Sequence, residues 1–221
     1  MSLKYIKIEP SNAADACVIW LHGLGADGHD FEGILPELNL PSSHGIRFIF
    51  PHAPSIPVTI NNGYVMPAWY DIYENNLARK IDEKGIIRSS DAIKNIIDDQ
   101  IELGIMSERI LLAGFSQGGA VVYEAGLSYE KPLAGVLALS TYFATANSID
   151  INPANKNISI NLFHGELDPV VPVQLAHQAL NDLEKIDISA QLQTYRMEHS
   201  VCLEEINDIS AIIKQTLVIN Q

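Results

Sequence analysis

Residues 112–120 read Leu-Ala-Gly-Phe-Ser-Gln-Gly-Gly-Ala, and Ser116 within them is the side chain best placed to act as a nucleophile. Gly114-Phe115-Ser116-Gln117-Gly118 fits G-x-S-x-G, a serine on a sharp turn from strand to helix. Such a turn is strained, and small residues on either side permit it. It lifts Oγ clear of the sheet and aims the first N–H groups of the helix at the place where an oxyanion would form. The flanks agree. Arg109-Ile110-Leu111-Leu112-Ala113 suits a buried parallel strand, and Gly118 to Leu127 is rich enough in Ala, Gly and Val for a helix packed close to a sheet.

A nucleophilic serine needs a base, and the base needs an orienting acid. The strand-like run Ile158 to Phe163 ends in His164-Gly165-Glu166-Leu167-Asp168-Pro169. The alternating run Ala190 to Tyr195 ends in Arg196-Met197-Glu198-His199-Ser200. Asp168, in a loop just past a strand end, is the candidate acid, and His199 the candidate base. Glu166 rivals Asp168 but lies nearer the strand end, with no proline after it to set the turn. His164 rivals His199 but occupies the last strand position, where histidines more often pack against neighbouring loops. His22, His29, His44, His52 and His177 read as surface groups or satisfied polar contacts. The order serine, acid, histidine, each at a strand end, is that of α/β-hydrolases.

An oxyanion hole needs a second donor from the loop after an early strand. Cys17-Val18-Ile19-Trp20-Leu21 runs into His22-Gly23-Leu24-Gly25-Ala26-Asp27-Gly28. The candidate donors are the amides of Leu24 and Gln117, with their side chains incidental to that role. The same glycines support a reading from another class. Gly23-x-Gly25-x-x-Gly28 after a strand fits the dinucleotide-binding pattern. That pattern needs an acid at the end of the next strand, and Ile46–Phe50 is followed by Pro51-His52-Ala53-Pro54.

Taken in order, His22-Gly23-Leu24-Gly25-Ala26-Asp27-Gly28, Ala68-Trp69-Tyr70-Asp71, Gly114 to Gly119, His164-Gly165 with Asp168, and His199-Ser200-Val201 make the chain resemble the carboxylesterase and acyl-protein thioesterase family, over residues 15–215. The resemblance implies an α/β-hydrolase with Ser116, Asp168 and His199 as its triad and the Leu24 and Gln117 amides as oxyanion donors. It implies hydrolysis of small-molecule carboxylic esters, lysolipids or acyl thioesters on proteins, without a cofactor. Two departures stand out. That family usually carries Arg where Pro67 stands, which bears on substrate preference. It often carries Gly where Glu198 stands, which places a carboxylate beside His199.

The elements needed to hold these residues follow from periodicity and turn signals. Strands are expected at 3–8, 16–21, 46–50, 109–113, 134–139, 158–163 and 190–195, and helices at 28–39, 89–103, 117–128, 173–185 and 201–218. Alternating strands and helices imply an α/β domain spanning 1–221, with a mostly parallel sheet covered on both faces. Residues 51–80 are expected as a long loop carrying Pro51, Pro54, Pro57 and Pro67 with Tyr64 and Tyr73. Loops this long in compact domains are usually functional. Its Val65, Met66, Trp69 and Tyr70 are the candidate apolar wall of an acyl groove.

Composition limits the partners. Apolar residues make up 47% of the chain, which argues for a packed core rather than disorder. The net charge is −13, and the short basic clusters are Lys4 with Lys7 and Arg79-Lys80. Binding to nucleic acid or anionic membranes is therefore disfavoured. No apolar run reaches the ~18 residues of a spanning helix, and Met1-Ser2-Leu3-Lys4-Tyr5 has no secretory h-region. Cys17 and Cys202 read as free thiols in a reducing compartment, so the cytoplasm is the expected location. No metal-ligand spacing is present, and a homodimer is left open.

Overall fold

A computed structural model describes residues 3–74 and 80–217. Arg79 of the short basic pair, Met1-Ser2 of the leader reading and residue 218 of the last expected helix lie outside the described residues. The strands are β1 (Tyr5–Ile8), β2 (Ala16–Leu21), β3 (Ile46–Pro51), β4 (Ser55–Val58), β5 (Tyr64–Pro67), β6 (Ile110–Phe115), β7 (Gly135–Leu139), β8 (Ile160–Gly165) and β9 (Ala190–Tyr195). The α-helices are α1 (Glu83–Glu102), α2 (Gln117–Ser128), α3 (Gln174–Lys185) and α4 (Leu203–Leu217).

Seven strands form one sheet in the order β1-β3-β2-β6-β7-β8-β9. The edge strand β1 pairs antiparallel with β3, and every other pairing in this sheet is parallel. Both faces are covered, which explains why β2 and β7 are apolar along their whole length. Cys17, Ile19 and Leu21 pack in the same cluster as Ile86 and Ile93 of α1, Val121 of α2 and Leu183 of α3. The alternate residues Ala16, Val18 and Trp20 pack with Phe31, Leu38, and Ile206, Ile209 and Ile213 of α4. Because the strands run parallel, the segments after β2, β6, β8 and β9 gather at one edge of the sheet. This is where such sheets place functional groups.

Three expected elements differ. Residues 28–39 do not form an α-helix; Glu32–Leu38 is a 3-10 segment with Pro36 inside it, ending at Asn39 with φ 47°. Proline denies the segment an amide donor and clashes with a preceding carbonyl, which prevents a regular α-helix. Helix α1 begins at Glu83 rather than 89, because the Asp82 side chain accepts from Gly85 N at 3.0 Å and caps it. The stretch 51–80 is not all loop. Strands β4 and β5 pair antiparallel from Ser55↔Pro67 to Val58↔Tyr64 and enclose a 3-10 turn at Thr59–Asn61. Pro57 is tolerated because a two-stranded ribbon has only edges. Among the described residues, no helix is long and apolar enough to cross a membrane.

Candidate active site

The turn between β6 and α2 explains the glycines around Ser116. Ser116 has φ 54° and ψ −116°, a backbone region costly for any residue with a side chain. It is held there by Ser116 N donating to Leu139 O at 2.8 Å and by Thr141 Oγ1 donating to Ser116 O at 2.6 Å. A Cβ on Gly114 would lie 2.5 Å from Gly118 O. One on Gly118 would lie 2.6 Å from His22 O and 2.7 Å from the Leu21 side chain. The helix start is thus pressed directly onto the end of β2.

Ser116, His199 and Asp168 lie in one hydrogen-bonded chain. His199 Nε2 is 2.9 Å from Ser116 Oγ, and His199 Nδ1 is 2.7 Å from Asp168 Oδ2. Asp168 Oδ1 accepts from Val170 N and Val171 N, each at 2.8 Å. Burial works to raise the pKa of Asp168, but the His199 hydrogen bond and the two amides outweigh it, and the net shift is downward. An ionised Asp168 accepts only, so Nδ1 carries the proton of a neutral His199 and Nε2 is left to accept from Oγ–H. The Phe115 ring lies 4.8 Å from the imidazole.

The rivals stand outside the Ser116–His199–Asp168 chain, although His164 Nε2 comes within 3.5 Å of Asp168 Oδ2. Glu166 is exposed and accepts from Thr194 Oγ1 at 3.1 Å. His164 is buried and donates from Nε2 to Val171 O at 2.7 Å, bracing the loop that carries Asp168. Burial lowers its pKa and keeps it neutral. Glu198 is exposed.

The loop after β2 is pinned by Gly25 N donating to Pro67 O at 2.8 Å. Leu24 and Gln117 both line the cavity that contains Ser116. Gln117 opens α2, so its amide has no partner within the helix. Its side chain has a separate, structural task. Oε1 accepts from Trp69 N at 2.8 Å, and Nε2 donates to Tyr70 O at 2.6 Å. Trp69 Nε1 donates to His22 O at 2.8 Å, and its carbonyl accepts from Ser89 Oγ. His22 donates from Nδ1 to Gly23 O at 2.7 Å and accepts at Nε2 from Ala53 N at 3.1 Å. Burial lowers the His22 pKa, and only the neutral ring satisfies both contacts.

The cavity has a volume of about 270 Å³ and is mostly apolar. Of the four residues expected on its wall, Tyr70 lines it, with its OH 2.8 Å from Tyr142 OH. Trp69 does not; it is buried behind the wall and clamps the loops just described. Met66 is also off the lining, taking a contact from Asn61 Nδ2 at 3.3 Å, and Val65 is 59% exposed on β5. Ile60, Ile72, Tyr142, Val170 and Asp30 line the cavity unforeseen. For Ile60 and Ile72 a signal existed, since both are apolar residues of the same Pro-rich stretch. The dinucleotide reading of Gly23 to Gly28 loses its physical basis, because a pyrophosphate site needs an α-helix N-terminus there and the chain supplies turns and a 3-10 segment.

The chain is similar to known proteins along most of its length. The family model described as Phospholipase/Carboxylesterase matches residues 5–217. An acyl-protein thioesterase 1 of Neurospora crassa is 37% identical over 213 residues, covering 91% of this chain and 87% of that protein. One of Schizosaccharomyces pombe is 43% identical over 176 residues, covering 79% and 78%. The crystal structure of Arabidopsis thaliana SOBER1 superposes with a TM-score of 0.86 at 30% identity, covering 91% of this chain and 99% of that one.

Proposed function

The chain belongs to the phospholipase/carboxylesterase family and is a serine hydrolase of esters or thioesters, and on that premise we propose how its residues share the chemistry. Ser116 Oγ attacks the acyl carbonyl while His199 Nε2 takes its proton. Asp168 holds the imidazole in the required tautomer and stabilises the imidazolium. The amides of Leu24 and Gln117 hold the oxyanion of the tetrahedral intermediate. His199 then protonates the leaving alcohol or thiol as the bond to the acyl carbon breaks. Water, deprotonated by the same imidazole, attacks the acyl-enzyme and releases the acid and Ser116. The observation that carries this reading is the unbroken hydrogen-bonded chain from Ser116 Oγ through His199 to Asp168.

The substrate class follows from the wall and the relatives. An acylated protein or an ester suits a family whose members include acyl-protein thioesterases, and a mostly apolar cavity suits a short to medium acyl chain. The reading treats 1–221 as one catalytic domain. Two free cysteines, Cys17 and Cys202, suit a reducing compartment such as the cytoplasm.

The test pairs fluorophosphonate labelling with turnover of nitrophenyl esters and matched thioesters over a chain-length series. The native protein should label once and hydrolyse both kinds of substrate. Ser116→Ala should lose the label and several orders of magnitude in kcat, while circular dichroism stays unchanged. Near-native turnover in that variant would sink the mechanism.

A further inference from the structure

The cavity beside Ser116 is lined almost entirely by neutral groups, and Asp30 is the exception. Among the described residues of the lining it is the one carboxylate, and no Lys or Arg stands with it. Asp30 lies on the segment that leaves β2, which also contributes Leu24 and Ala26 to the lining. Among the described residues, no ion pair or side-chain hydrogen bond neutralises its carboxylate. The nearest groups do not compensate it. Asp27 is itself acidic and spends Oδ1 on His29 N at 2.8 Å. His29 is turned to Glu32 at 2.9 Å. His22, below the loop, is the buried neutral ring described above. Partial burial raises the Asp30 pKa, the mark of a carboxylate that has lost some of its water.

We propose that Asp30 sets a charge preference for the reaction: substrates bringing a cation into the cavity are hydrolysed ahead of neutral ones, and neutral ones ahead of anionic ones. The proposal rests on the serine-hydrolase reading of this cavity. A single carboxylate on a mostly apolar wall concentrates its field in the space the substrate must enter. The chain's net charge of −13 has the same sign, and among the described residues no lining Lys or Arg opposes it. Because Asp30 is exposed to solvent on one side, each step of charge should change kcat/KM by about threefold at low salt, the size expected of a solvent-exposed pair. Salt should erase most of this, since added ions screen exposed charges.

Two series of esters test it, one for each side of the scissile bond. In the first, a butyryl group is carried on thiocholine, mercaptoethanol or mercaptopropionate. In the second, nitrophenyl esters end their acyl chain in trimethylammonium, tert-butyl or carboxylate. The ratio of kcat/KM for cationic over anionic members cancels any general loss of activity in a variant. The native ratio should exceed one in at least one series and fall with salt. Asp30→Asn should bring it towards one, and Asp30→Lys should invert it. Asp27→Asn should move it less, because Asp27 is off the lining. The series that responds tells which side of the bond faces Asp30. A native ratio indifferent to salt, or equal ratios in native and Asp30→Asn protein in both series, overturns the proposal while leaving the hydrolase reading intact. No turnover of any neutral member by native protein overturns the hydrolase reading and this proposal with it.

Discussion

The carboxylate of Asp168 divides its oxygens between two tasks, Oδ2 accepting from His199 and Oδ1 from the amides of Val170 and Val171. An amide side chain cannot serve both as acceptor only. In Asp168→Asn, either the His199 tautomer or the 168–171 turn loses its partner. We expect kcat for a neutral nitrophenyl ester to fall by on the order of a thousandfold or more. Glu166→Gln should leave it within about threefold, since the Glu166 side chain faces solvent and accepts from Thr194, away from His199. The opposite ranking would hand the acid's role to Glu166. That Ser116, Asp168 and His199 meet was legible in the sequence, because the proposed chemistry demands these residue types at strand ends. The side chain of Gln117 was not. Its partners are backbone atoms of Trp69 and Tyr70, 48 and 47 positions away, and no local pattern marks such a bond. Trp69 misled for a related reason: an aromatic residue in a long loop suits a groove wall or a buried clamp equally well, and only the tertiary partners of its indole decide.

The elements that position the site were legible where burial dictates composition. A parallel strand covered on both faces must be apolar throughout, so β2 and β7 stand within a residue of their expected bounds. The β4–β5 hairpin was hidden, because Pro57 and Pro67 read as breakers and only edge pairing tolerates them. The same logic gives the junction of β2, β6 and α2 a sharp mutational signature. Adding a methyl in Gly118→Ala would bring Cβ within 2.6–2.8 Å of His22 O and Leu21 atoms, which are backbone or packed core and cannot swing aside. Strand and helix must separate, moving Ser116, Gln117 and the 22–24 loop together. We expect a loss of about 1–3 kcal/mol in urea unfolding, as for other overpacked cores, with fluorophosphonate labelling slowed at least tenfold. Native-like stability and labelling would mean that this junction has slack the distances deny.

Across the molecule, the acidic composition sets how stability should vary with pH, and one buried carboxylate gives that variation a specific origin. Glu204 and Glu205 stand side by side at the start of α4, and nothing in their sequence separates them. Glu204 faces solvent, while Glu205 is fully buried, and among the described residues no side chain is hydrogen-bonded to its carboxylate. Burial raises the Glu205 pKa to about 8, against an opposing pull from the Cys202 backbone amide and with a smaller push from Asp208. In the unfolded chain a glutamate releases its proton near pH 4.3. A group whose pKa is raised by folding stabilises the fold fully below its unfolded pKa and loses that contribution as pH climbs to the folded one. The loss here spans roughly pH 4.3 to 8 and amounts to a few kcal/mol, at about 1.4 kcal/mol per unit. Other groups act in other windows. The depressed pKa of Asp168 costs stability only as pH falls below about 4. His22 and His164, lowered by burial, cost it as pH falls below about 6.5. Between about pH 6.5 and 8, Glu205 therefore dominates over a weaker background of self-repulsion from the net charge of −13. Urea midpoints of native and Glu205→Gln protein, measured at both ends of that window, isolate its share. The native midpoint should drop from the lower to the higher pH, and the variant should drop much less, gaining on the native protein as pH rises. Parallel drops in the two proteins would show that the proton on Glu205 is not what the fold is holding.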